Sequence, residues 1–317
     1  MKRYHKTGMI PLLILSLTLI ATSCRVESGQ TPPSWTPGNS GTNNTLYGVA
    51  SSGSRIAAVG ALGTIVTSSD GISWTARSSN LSFNLYGIGG SGTQFVAVGD
   101  SGAILTSSDL VTWTPQASGT SSRLRGVAWI GSQFIAVGDS GTILTSSDAV
   151  SWTAQTSGTT SDLYGVAGNN SLIVAVGGTG GASTILTSPT GTGWTQRTSY
   201  GHILYSVVWS GNQFLIGGGD NGFGSTLQTS LDGIAWTAQY GAFSNDLYGT
   251  AWSGAQFMGV GQVGVTQISA DGIGWTSSGV VLTNQNGTNL GTDLNGVTWF
   301  NNQFIAVGKS GGIFTHP

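Results

Sequence analysis

The stretch "VGDSGTILTSSD", Val137 to Asp148, decides how this chain is read. Either its Gly-Asp-Ser-Gly core presents Ser140 as a nucleophile, or those four residues turn a corner between two strands. The rest of the sequence chooses, because it fills the same slot with other words. The slot reads "GALG" from Gly60, "GQVG" from Gly261 and "GKSG" from Gly308, so only the glycines persist. Glycine at both ends of a short run between apolar, β-branched segments is the chemistry of a strand-to-strand turn. A nucleophilic serine also needs a base within hydrogen-bond reach, and beyond the leader the chain holds only His202 and His316. GDSG is expected to be a corner, and no catalytic residue is assigned.

Outward from that corner, one unit recurs. The leucine that opens "LYGVA" or a variant lies at Leu46, Leu85, Leu124, Leu163, Leu204, Leu247 and Leu294. A tryptophan in "SWT" or a variant lies at Trp35, Trp74, Trp113, Trp152, Trp194, Trp236 and Trp275, and most successive spacings are 39 residues. "LYGVAW" alternates and is rich in β-branched and aromatic residues, so it reads as strand A. "QFIAVG" reads as strand B, "TILTSS" as strand C and "SWTAQ" as strand D. Four short strands per unit, repeated, are the signature of a β-propeller blade. The two series are out of phase: "SWTP", Ser34 to Pro37, is a strand D without a blade, and Leu294 to Thr315 supplies A, B and C without a D. Setting Trp35 beside Ile313 completes the last blade and removes the open edges. The predicted fold is all-β, a seven-bladed β-propeller of four-stranded antiparallel blades over 34–317, closed by its N-terminal strand.

The string "SSDGISWT", Ser68 to Thr75, resembles the Asp-box, or bacterial neuraminidase repeat, of pattern Ser-x-Asp-x-Gly-x-Thr-Trp. It departs by one residue, since Asp70 and Trp74 stand one step closer than in that pattern. The longer "VGDSGTILTSSD…WT" resembles repeats of photosystem II assembly factor-like propellers. The first resemblance implies a strand C to D hairpin, with Asp70, Asp109, Asp148, Asp232 and Asp271 as its structural acids. An aspartate can accept hydrogen bonds from the turn's backbone, and glycine supplies positive φ. Pro189 and Thr190 occupy the acid's place in the fourth unit, so the turn is expected to survive without it.

Before the propeller, Lys2, Arg3 and Lys6 precede an apolar run from Met9 to Ile20, too short for a comfortable span, and "ATSC" follows at Ala21 to Cys24. Cys24 is the only cysteine, which leaves no intrachain disulfide and no cysteine-based metal site. "ATSC" resembles the lipobox of bacterial lipoproteins. That implies a signal peptide over 1–23, lipidation of Cys24, a polar tether over 24–33, and an extracytoplasmic protein lipid-anchored at the bacterial cell envelope. Within the fold, Arg55, Arg77, Arg123, Arg125, Arg197 and Lys309 face eleven aspartates. No basic stripe exists for a phosphate backbone, so nucleic acid is not an expected partner. A monomer without cofactor or metal is expected.

Sialidase is the sharpest enzymatic alternative that the Asp-box resemblance suggests. That class implies three arginines, a tyrosine–glutamate pair and an aspartate; here the only glutamate is Glu27, in the tether. A glycoside hydrolase with two aspartates is the one enzymatic reading retained.

Function is sought where the repeat is broken. The strand B glycine to strand C threonine spacing is seven at Gly138 to Thr145 but ten at Gly177 to Thr187 and eleven at Gly218 to Thr229. From Trp275 to Leu294 the spacing is nineteen, where eleven is usual. All three insertions fall on the face where strands A begin, which presents Tyr47, Tyr86, Arg125, Tyr164, Tyr205, Tyr248 and Asn295 directly after the leucines. These seven either pack between blades, hydroxyls on a neighbouring backbone, or ring a channel mouth as an aromatic platform. His202, Asp220, Asn221, Phe223, Asn284 and Asn286 would form its rim. The expected function is a binding or assembly scaffold for a protein partner, with glycan recognition as the alternative.

Overall fold

The computed structural model describes residues 34–219, 226–242, 245–278 and 293–317. They form seven four-stranded antiparallel sheets, each running A-B-C-D in order. Blade 3 is representative, with strands Leu124–Ile130, Gln133–Gly138, Ile143–Ser146 and Thr153–Gln155. Blade 7 takes Leu294–Phe300, Gln303–Gly308 and Ile313–His316 from the C-terminal end and Thr36–Gly38 from the N-terminal end, which closes the ring.

The closing register corrects one expectation: Gly38 stands opposite Ile313 and Thr36 opposite Thr315, so Trp35 comes level with His316 instead. The reason is general to the blades. Strand D begins after the tryptophan, at Thr75 in blade 1, and the Trp74 indole Nε1 donates back to the Gly71 carbonyl at 3.2 Å. The tryptophan thus belongs to the C–D hairpin. Blade 7 has no covalent C–D hairpin, and Trp35 Nε1 donates to Thr266 Oγ1 and Ser278 Oγ of blade 6, at 3.2 and 3.3 Å.

Both faces of each sheet are covered by neighbouring blades, so strands B and C are nearly continuous apolar runs. The seven repeat leucines are fully buried. Side chains from adjacent blades make one apolar cluster per seam, with eight to ten buried residues in six of the seams among the described residues. The seam between blades 5 and 6 has only Leu215, Leu227, Leu247 and Phe257. There Gly217 replaces the valine of the blade 3 pattern, Gly259 replaces its alanine, and Ser206 Oγ and Thr250 Oγ1 are buried without a partner.

The GDSG corner is a turn, as read. Ser140 has φ 55° and Gly141 φ 71°, and a Cβ on Gly141 would lie 2.0 Å from the Thr159 carbonyl oxygen. Only glycine fits there. The Ser140 N–H donates to Asp162 Oδ1 at 2.9 Å, which docks the corner on the next blade.

On the opposite face, the Ile72 and Ser73 N–H groups both donate to Asp70 Oδ1 at 2.8 Å, as does the Ser68 hydroxyl. The Ser73 and Ile72 N–H groups, then the Ser68 hydroxyl, hold this exposed carboxyl down to about 2. Asp109, Asp148, Asp232 and Asp271 make the same pair of backbone bonds. In blade 4, Ser188 Oγ donates to the Thr192 carbonyl and accepts from Gly191 N–H, so that turn closes without an acid.

The blade 4 insertion is no loop. It lengthens strands B and C to Ile173–Thr179 and Ala182–Ser188, joined across Gly180 and Gly181 at φ 66° and 87°. Glycine at both central positions supports this two-residue hairpin.

Candidate functional site

The residue after each repeat leucine occupies a β-bulge. In blade 3, Leu124 pairs with Gly138 and Gly126 with Val137, which leaves Arg125 as the extra residue; the same shift recurs in all seven blades. A bulge breaks the strict alternation of a strand and re-aims one side chain. Here it turns Tyr47, Tyr86, Arg125, Tyr164, Tyr205, Tyr248 and Asn295 together to the mouth of the central channel, where they line one cavity of about 300 Å³. The next residue is usually glycine because adjacent strands A converge: a Cβ on Gly126 would lie 2.6 Å from the Tyr164 carbonyl oxygen.

The seven are half-buried, and several contact their neighbours along the ring. Tyr164 and Tyr205 meet edge to face at 5.4 Å, Tyr205 and Tyr248 at 5.2 Å, and Tyr47 lies 5.1 Å from Tyr86. They therefore pack side by side and line the cavity at once. The Tyr86 hydroxyl bonds side chains, accepting from Asn84 Nδ2 at 3.1 Å and donating to Asp100 at 3.5 Å. Asn295 Nδ2 donates to the Leu46 carbonyl at 2.8 Å. Burial, then Asp246, push the Tyr205 phenol up to about 12; burial, then Asp293 and Asp246, do the same to Tyr248.

Sequence reasoning missed the carboxylates of this mouth. Arg125 Nε donates to Asp139 Oδ1, its second amine lies 3.8 Å from Asp162, and its guanidinium sits 4.5 Å over the Tyr164 ring. Arg123 is bonded to Asp100 at 2.8 Å and lies 5.2 Å over Tyr86. Lys309 pairs with Asp293 at 2.6 Å. The available signal was positional: Asp162, Asp246 and Asp293 all directly precede a repeat leucine, and Asp100 and Asp139 directly follow a strand B glycine. The aspartate of GDSG is thus more than a passenger of the turn.

Of the expected rim, His202 comes beside the blade 4 hairpin, since a Cβ on Gly181 would lie 3.3 Å from its Nδ1. Asp220, Asn221, Phe223, Asn284 and Asn286 lie outside the described residues, as does Cys24. The remaining arginines are elsewhere: Arg77 and Arg197 donate to Thr67 and Thr187 across their own C–D hairpins, and Arg55 bonds the Ser108 and Gly92 carbonyls of blade 2. No three-arginine clamp forms among the described residues.

Fold and mouth together define a seven-bladed β-propeller whose channel opens through an aromatic, carboxylate-flanked ring. No family model and no curated protein matches the chain. Among solved structures, YCF48 from Cyanidioschyzon merolae is similar with a TM-score of 0.68 at 16% identity, covering 89% of this chain and 98% of that one. The structure of YCF48 bound to D1 peptide has a TM-score of 0.68 at 15% identity, covering 90% and 95%. The WD40 propeller domain of Doa1 has 0.68 at 10%, covering 89% and 97%. At these identities the likeness shows the fold.

Proposed function

We propose that this chain is a non-enzymatic binding or assembly scaffold that holds a protein segment at its channel mouth, as a lipid-anchored, extracytoplasmic protein of a bacterial envelope. One observation carries the reading. Seven bulges aim seven non-core side chains at one open cavity, a construction that ring closure by itself does not need. Bulges commonly re-aim side chains at functional positions, and the mouths of closed β folds commonly hold ligands. A propeller of similar fold, YCF48, has been solved bound to D1 peptide, which supports a peptide as the type of partner. The anchor rests on the lipobox resemblance at Cys24.

The test is affinity capture from native membranes with the full chain, beside a Tyr164→Ala/Tyr205→Ala variant. A protein captured by the first and lost by the second supports the scaffold at this mouth. A protein retained by both moves the site elsewhere. Capture of no protein, with binding on a glycan array, favours the tyrosines as a sugar platform. Mass spectrometry of Cys24 for a diacyl group tests the anchor separately.

A further inference from the structure

In sheets that run A-B-C-D, the A–B turns and the C–D hairpins share the face opposite the mouth. Neighbouring blades knit that face together: Gln303, Gln133 and Gln213, beside A–B turns, donate to the Asp70, Thr190 and Asp271 carbonyls of the next blade's hairpin. The hairpin tips hold aliphatic side chains in water. The residue two after each hairpin aspartate is Ile72, Val111, Val150, Ile234 or Ile273, and the five are between 49% and 63% exposed. Leu231, beside Asp232, is 75% exposed.

The turn itself does not require them. It uses the N–H of this residue, which Ile72 donates to Asp70, and in blade 4 Thr192 fills the place. Repetition does not hold an apolar residue in water either. At the B–C corner the equivalent left-handed position reads Leu62, Ser101, Ser140, Val263 and Ser310. A lone exposed aliphatic is ordinary. One at the same place in five of the six covalent C–D hairpins, all on one face, marks a contact surface.

Nearer the channel the same face presents tryptophan. Trp129, Trp209, Trp252 and Trp299 stand at the A–B end of strand A, half-buried, with ring centroids 4.4 to 4.7 Å from the paired phenylalanine. No A–B turn contains a charged side chain, in contrast to the ion pairs of the mouth. The chain also enters the propeller here: Thr36 pairs with Thr315, and Trp35 packs against His316. Cys24 stands ten residues before Ser34, at most about 36 Å of extended chain.

We infer that this face rests on a lipid surface, with the hairpin aliphatics and strand A tryptophans at headgroup level, so that the channel mouth opens away from the membrane. The inference rests on the lipid anchor of the scaffold reading and adds which way the anchored propeller is turned. Tryptophan suits the headgroup level because one part of its ring system is apolar and the other donates a hydrogen bond. An anchor makes the encounter intramolecular, so shallow contacts that would not recruit a free protein suffice to orient a tethered one. The five hairpin carboxylates select the lipid. They attract the ammonium groups of zwitterionic headgroups and repel anionic ones. Arg55, the one cation flanking an A–B turn among the described residues, is already given to the Ser108 and Gly92 carbonyls.

The test couples the full chain through Cys24, its only cysteine, to maleimide-headgroup lipid in phosphatidylcholine vesicles. Backbone hydrogen exchange is compared with the same chain capped by N-ethylmaleimide in solution. The hairpin amides around Ile72, Val150 and Ile273 are expected to slow at least about three-fold on the vesicles, while those around Tyr164 and Tyr205 do not change. The variant Ile72→Ser/Val150→Ser/Ile273→Ser should keep its melting midpoint, because these side chains are exposed, and lose the slowing. Vesicles containing phosphatidylglycerol should protect the hairpins less, and added salt should narrow that difference. Unslowed hairpins overturn the inference, as do slowing at the mouth instead and slowing that the triple variant retains. Slowing that needs an added protein makes this face a protein interface and overturns it too. The maleimide link supplies the anchor, so the two readings fail separately. An unacylated Cys24 in the native protein would sink the anchor, whereas unslowed hairpins on coupled vesicles would sink the orientation alone.

Discussion

The Trp35 indole packs against the His316 ring, centroids 5.0 Å apart and planes tilted by 53°, joining the first and last strands of the propeller at the outer edge of blade 7. Its Nε1 reaches further, to the Thr266 and Ser278 hydroxyls of blade 6. The strand Thr36–Gly38 closes the seventh sheet, and the Trp35 side chain just before it ties that sheet to the sixth.

Trp35→Ala removes that contact from a buried position and should cost about 3–5 kcal/mol, the usual range for deleting a buried aromatic. Trp35→Phe keeps most of the apolar area but loses the indole donor, and about 1 kcal/mol is expected. Urea unfolding midpoints check both. Equal, small losses would show that the closing strand contributes little to the ring.

The seam between blades 5 and 6 should improve on the pattern of the chain's own repeats. Thr250 stands where the other blades have Val49, Ile88, Val127, Val166, Val207 and Val297, and its Oγ1 is buried without a partner. Thr250→Val removes an unsatisfied hydroxyl at nearly constant shape, with an expected gain of about 1 kcal/mol. Thermal melting measures it, and a loss would mean that the hydroxyl has a bond after all.

Val263 occupies the left-handed corner position of blade 6 at φ 57° and is 59% exposed. A β-branched residue is strained there, and its exposure means little packing is lost on replacement. Val263→Gly should stabilise by roughly 0.5–1 kcal/mol, the difference between that strain and glycine's greater unfolded-state entropy. Ser140→Gly, at the equivalent place, should change the melting midpoint less.

Acid should act on the C–D hairpins. Asp70, Asp109 and Asp148 are held down to about 2 by backbone N–H donors, against about 3.9 in an unfolded chain. A depressed acid stabilises the fold fully above its unfolded value, and that contribution disappears as pH falls through the folded value. The melting midpoint should therefore be insensitive to these groups above about pH 5 and decline from about pH 4 to pH 2. In NMR, the Ser73 and Ser151 amides should titrate in that window. Gly191, whose amide is held by the Ser188 hydroxyl, should not.

Blade number, strand order and ring closure were legible because a unit of near-constant length repeats, and repetition averages out local ambiguity. The ring of seven was legible as positions but not as geometry. Alternation alone sends Tyr47 and Gly48 to opposite faces, and only the pairing of Leu46 with Gly60 and Gly48 with Val59 exposes the bulge between them. Asp139 and Asp162 were illegible as partners of Arg125 because one follows it by 14 residues and the other by 37, on separate turns. The pairing within the blade 4 insertion was not legible because spacing counts residues without saying whether they pair. Gly180 and Gly181 were the hint that they do.

Closure through the N-terminal strand also sets a waiting time. Thr36 and its partner Thr315 are 279 residues apart. At the usual 5–20 residues per second of synthesis, roughly 14–56 s separate the appearance of the closing strand from that of its partner. Six blades can form during that interval, each from neighbours close in sequence, while the segment that carries Trp35 stays an unmatched edge. The earliest part of the propeller to be made is the last to be placed, and its exposure to misplaced pairing is longest when elongation is slow.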